Sequence, residues 1–115
     1  MRTVEQTRPR PGLSVPVVTI VDDAGELLES DQRALVRHVV QDGYGADILF
    51  AAGTTVEWDR LPARVMQRVV AVSAEEVAKL EASRATDPRS APGVEVWAGI
   101  TALSAEETLE NLDFA

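Results

Sequence analysis

Three short apolar runs, separated by stretches of helical periodicity, constrain this chain more than any other feature. They are Val15 to Val21, Asp47 to Ala52 and Val94 to Gly99. The first is β-branched and interrupted only by Pro16, which predicts a strand buried on both faces, with the proline near its start, where a missing donor is tolerated. Asp22-Asp23-Ala24-Gly25 then reads as a turn, and Ser30 as the N-cap of a helix with Asp31 in its first turn. Leu35, Val36, Val39 and Val40 supply that helix's apolar spacing, and Gly43 and Gly45 its stop. After the second run, Pro62 suits the first turn of a long helix whose apolar positions are Val65, Val69, Val72, Val77 and Leu80. An Asp-, Pro-, Ser- and Gly-rich loop from Thr86 to Gly93 leads into the third run. A last helix opens at Ser104-Ala105-Glu106-Glu107, with Ser and Glu at capping-box spacing.

Strand and helix thus alternate three times, which argues for an α/β fold with a parallel βαβαβα order and right-handed crossovers. The 115 residues suit one domain, organised as an N-terminal arm over 1–13, rich in Pro and Arg, and one folded unit over 14–115. The arm reads as a mobile or lightly docked terminus.

Composition narrows the chemistry. With no cysteine and a single histidine, His38, the chain offers no thiolate metal site, no cysteine nucleophile and no His-rich metal centre. No metal ligand set and no cofactor is therefore expected. Nineteen acidic against eleven basic residues give a net charge of −8, a surface that repels phosphate backbones, so no nucleic-acid partner is expected. No apolar run approaches the roughly 20 residues of a membrane span, and the N-terminus lacks the apolar segment of a secretory signal. The expected setting is cytoplasmic, without a membrane partner.

In parallel α/β folds ligands gather at the carboxyl ends of strands. Three such ends can be named: Thr19-Ile20-Val21-Asp22-Asp23, Ala52-Gly53-Thr54-Thr55-Val56-Glu57-Trp58 and Ala98-Gly99-Ile100-Thr101. The second is the most informative. Gly53 permits close backbone approach, and Thr54 and Thr55 present hydroxyls and amides together. A following helix N-terminus adds a positive end. This is suitable chemistry for a small carboxylate.

The ordered set of these motifs resembles the N-terminal part of the dihydrodipicolinate synthase and N-acetylneuraminate lyase family. Its members are (β/α)8-barrel (TIM-barrel) aldolases that join a lysine to a 2-keto acid, usually pyruvate, as a Schiff base. Thr19 to Leu27 is similar to the family's first strand and loop, and Gly43 to Leu49 to its Gly-x-x-Gly approach to strand two. Gly53-Thr54-Thr55-Val56-Glu57 is similar to its Gly-Thr-Thr-Gly-Glu signature. Val96 to Ile100 and Ser104 to Thr108 resemble its third strand and the start of its third helix. The resemblance covers roughly residues 14–115 and implies the first three βα units of a truncated barrel. It also implies substrate-binding roles for Gly53, Thr54 and Thr55. Thr55 would hold the keto-acid carboxylate, Thr54 would act as a relay hydroxyl, and Gly53 would give backbone access.

The chain departs from the family pattern at three points. Val56 stands where the family has glycine. The first-strand Pro-Phe pair is Ile20-Val21. The one lysine, Lys79, falls mid-helix and the one tyrosine, Tyr44, in the turn before the second run. Imine catalysis needs an amine poised at the keto carbon, and neither the Schiff-base lysine nor the relay tyrosines are represented. A full barrel takes about 250 residues. The expectation is therefore a lyase-like chain with no catalytic residue of its own, which is either the front of a longer barrel or a non-catalytic α/β protein. Uncovered sheet edges favour self-association into a homo-oligomer. A third reading, a receiver-like signalling domain, takes Asp22-Asp23 as the metal-holding acidic pair, but no strand here ends in the required phosphoacceptor aspartate.

Overall fold

The computed structural model describes residues 11–53, 61–84 and 93–115. Strands β1 (Ser14–Pro16), β2 (Ile48–Ala51) and β3 (Glu95–Ala98) alternate with helices α1 (Glu29–Val40), α2 (Ala63–Arg84) and α3 (Ala105–Phe114). The sheet is parallel in the order β1-β2-β3, with Val15 beside Leu49 and Leu49 beside Val96. This is a small α/β protein built from successive βα units.

β2 is central, and its residues are the most buried. Leu49 and Ala51 point into a core shared with Val36 and Val40 of α1, Val69 and Val77 of α2, and Val17 and Val94. Alternation turns Phe50 to the other face, where its ring meets Trp97 edge-on at 6.4 Å between centroids.

The first strand is shorter than the sequence predicts and is not buried on both faces. Ser14, Pro16 and Val18 are exposed, and regular pairing ends at Pro16 apart from the Val17 N–H donated to Phe50 O. The reason lies in α1. Gln32 is fully buried, and its amide brackets the continuing chain: Oε1 accepts from Ile20 N–H at 2.8 Å and Nε2 donates to Val18 O at 2.9 Å. The chain then folds back, with Val21 bridging Leu27 in antiparallel fashion around the predicted turn. Gly25, at φ 81°, makes the reversal.

Helix α1 starts one residue before Ser30, with Leu28 at the N-cap and no side-chain cap. The hairpin delivers the chain straight into the helix, so Ser30 is inside it. Its end also comes early: Gln41 and Asp42 already adopt positive φ (45° and 55°), followed by Gly43 at 90°. Gly45 is required for a different reason, since a Cβ there would lie 2.2 Å from Val39 O. Pro62 sits just before α2, and its carbonyl accepts the N–H groups of Val65 and Met66. The predicted cap of α3 is present: Ser104 Oγ accepts from Glu107 N–H at 3.2 Å.

The outer faces of α1 and α2 are joined by charge. Glu76, nearly buried, accepts from Arg33 at 3.0 Å, Arg37 at 3.2 Å and Lys79 at 3.1 Å. Arg33 and Arg68 also hold Glu29 and reach Glu75. No helix among the described residues is long and apolar enough to cross a membrane.

Candidate functional site

The carboxyl end of β2 is sharply shaped. Ala52 takes φ 58°, a left-handed conformation unusual for a residue with a Cβ, and hands the chain to buried Gly53. A Cβ on Gly53 would stand 2.3 Å from Phe50 Cε1, so the glycine is what lets the backbone cross the aromatic ring. Phe50 and Trp97 therefore share the side toward which Gly53 turns. Trp97 Nε1 donates to Glu95 Oε2 at 2.9 Å, fixing the indole on that face. Thr54, Thr55, Val56, Glu57 and Trp58 lie outside the described residues.

The end of β3 is locked to that of β2. Gly99 N–H donates to Ala51 O at 2.8 Å, and a Cβ on Gly99 would come within 1.9 Å of Ala52 O. Only glycine permits this approach. Beyond it, Asn111 donates to Ile100 O and Thr108 Oγ1 accepts from Ala102 N–H, which fastens α3 to the loop before it.

A cavity of about 170 Å³ lies on the helix side of these strand ends. Leu61, Met66 and Val70 of α2 and its approach meet Leu103 and Phe114 across it, and Glu107, Glu110 and Asn111 supply polar groups. Ala52 borders it but Gly53 does not, and its described lining carries carboxylates and no cation. This described lining does not suit an anion.

The other residues named from sequence are accounted for locally. Asp22 Oδ1 accepts from Ala24 and Glu26 N–H, both at 2.9 Å, so Asp22 organises its own turn. Among the described residues no cluster of His, Asp and Glu could hold a metal ion. Lys79 is 68% exposed and paired with Glu76 on the α1–α2 seam. It is thirteen residues along α2 from Met66 at the cavity, about 20 Å at the helical rise. Tyr44 is exposed before β2, and His38 is exposed on α1. The Phe50–Trp97 pair was not singled out from sequence. Its signal was the alternation of two paired strands, which puts both rings on one face.

No protein-family model matches this sequence, and no curated protein matches it.

Proposed function

We propose that this chain binds a small 2-keto acid of the pyruvate type, through its carboxylate, at Gly53-Thr54-Thr55. On this reading the chain corresponds to the first three βα units of a (β/α)8-barrel Schiff-base lyase. The observation that carries it is the turn at Ala52-Gly53: a buried glycine at the carboxyl end of the central parallel strand crosses an aromatic ring, and two threonines follow it in the sequence. Neutral hydroxyls and amides would hold the carboxylate, with Thr55 as the principal ligand and Thr54 as a relay hydroxyl. The same reading implies a cytoplasmic setting.

The described residues supply no amine for imine formation, because Lys79 is committed to Glu76 on the distant helix seam. The chain is thus read as binding without forming the covalent adduct itself.

Titration with pyruvate, followed by amide chemical shifts, tests this. Saturable shifts confined to Gly53, Thr54 and Thr55 and their strand-end neighbours are expected, with an affinity in the range of about 1 mM. Thr55→Val should abolish them and leave the remaining spectrum intact. Absence of shifts at about ten times that concentration overturns the binding site. A borohydride-trapped mass adduct on Lys79 overturns the assignment of that lysine.

A further inference from the structure

The two edges of the sheet are finished differently, and the difference names a partner. In a parallel ladder, alternate residues direct both backbone groups to one neighbour. Glu95 N–H reaches Asp47 O and Gly99 N–H reaches Ala51 O, so Glu95, Trp97 and Gly99 face β2. Val96 and Ala98 consequently direct their N–H and C=O groups outward. Side chains cap the chain on either side of them: Glu81 Oε1 accepts from Val94 N–H at 2.9 Å, and Asn111 Nδ2 donates to Ile100 O at 3.2 Å.

The β1 edge is closed. Pro16 has no N–H, Gln32 Nε2 takes Val18 O, and Ile20 has its N–H on Gln32 Oε1 and its C=O on Leu28 N–H, so beyond Ser14 no outward position on this edge keeps both donor and acceptor. Among the described residues, only β3 keeps two successive outward positions with both donor and acceptor free. It also carries neither proline nor lysine, the residues that blunt edges.

We propose that β3 pairs antiparallel with β3 of a second copy of this chain, about a two-fold axis at Trp97. In that register Val96 of one copy lies opposite Ala98 of the other, and the four free groups on each side form four hydrogen bonds. Shifting the register by two residues in either direction would bring the capped positions Val94 or Ile100 into the ladder. The centred register is therefore the one that satisfies every group. Because β1 is closed, the association is isologous and stops at two copies, where β1-to-β3 pairing would grow a filament. The two Trp97 rings become neighbours on the open face and extend the Phe50–Trp97 aromatic surface across the axis. This pairing does not depend on the keto-acid reading.

Sedimentation analysis of the full chain tests it. Expected is a reversible dimer of twice the chain mass, with its fraction rising with concentration. Ala98→Pro removes one outward N–H while leaving the bonds to β2, and it should give a monomer with unchanged far-ultraviolet dichroism. Ser14→Pro, on the closed edge, should leave the dimer intact. Should Ala98→Pro fail to fold, hydrogen exchange on the unmodified chain gives the answer: the Val96 and Ala98 amides should slow as concentration rises. A monomer at every concentration, a folded Ala98→Pro dimer, a growing polymer, or concentration-independent exchange at both amides would each overturn the proposal.

Discussion

Arg33 of α1 places Nη1 3.0 Å from Oε1 of Glu76 on α2, and Glu76 is only 5% exposed. Arg37 and Lys79 take the rest of the same carboxylate. A buried carboxylate with three cationic donors is satisfied as it stands, but removing it leaves Arg33 facing a half-desolvated gap. Glu76→Ala is expected to cost about 2 kcal/mol, the value of hydrogen bonds to a charged group. Urea denaturation measures this. By contrast, breaking the Arg64–Glu26 pair, with both side chains more than half exposed, should leave stability unchanged. Equal effects at the two sites would remove the special role of the seam.

The same carboxylates set an acid limit. Hydrogen bonds from Arg68 and then Arg33 hold the Glu29 carboxyl down to about 2, and Arg64 lowers Glu26 from its ordinary 4.5. For Glu76, burial pushes the carboxyl up, but hydrogen bonds from Arg33, Lys79 and Arg37 outweigh it and the net direction is down. Folded values below unfolded ones mean that the stabilisation is complete above 4.5 and is lost as pH falls through the folded values toward about 2. Denaturation midpoints measured from neutral pH downward should be flat and then fall across that window. Arg68→Met should shrink the fall. A midpoint that rises on acidification would contradict the argument.

What was legible in the sequence follows from what repeats. The helical spacing of Val36 and Val40, and of Val65, Val69 and Val72, identifies both core-facing stripes, and the apolar run at Ile48–Ala51 identifies the central strand. The Ser104 cap was also readable, since its chemistry is local. Val15 to Val21 misled, because β-branched residues favour a strand but say nothing of what pairs with it. Gln32, far off in sequence and polar, replaces the strand partner. The left-handed Ala52 was hidden for a related reason: no residue preference calls for alanine there, and the packing of Gly53 and Gly99 imposes it.

Gln32 therefore makes a sharp test. Its amide satisfies one donor and one acceptor that the sheet does not. Gln32→Leu keeps the volume but strands both groups, and should cost about 3 kcal/mol. Gln32→Glu keeps the acceptor for Ile20 N–H but sets a carboxylate against Val18 O, and should be at least as damaging at neutral pH. Hydrogen exchange at the Ile20 amide should accelerate in both variants well beyond the global loss. If Gln32→Leu is as stable as the parent, the bracket contributes nothing and β1 ends for another reason.

Two glycines at the strand ends separate rigid from yielding constraint. A Cβ on Gly99 would meet backbone, Ala52 O at 1.9 Å and Ala52 C at 2.6 Å, and neither can move without breaking the Gly99 N–H bond to Ala51 O. A Cβ on Gly53 would meet only the Phe50 ring, at 2.3 Å and 2.5 Å, and a ring can turn. Gly99→Ala should therefore destabilise by about 3 kcal/mol through overpacking, and Gly53→Ala by about 1 kcal/mol. The second change should also disturb the edge-on contact with Trp97, which near-ultraviolet dichroism would register as a change in the indole signal. Thermal melts of the two variants decide the order. If Gly53→Ala proves the more damaging, the space over Phe50 is fixed rather than adjustable, and the turn after β2 is held by the aromatic pair and not by the lock between the strand ends.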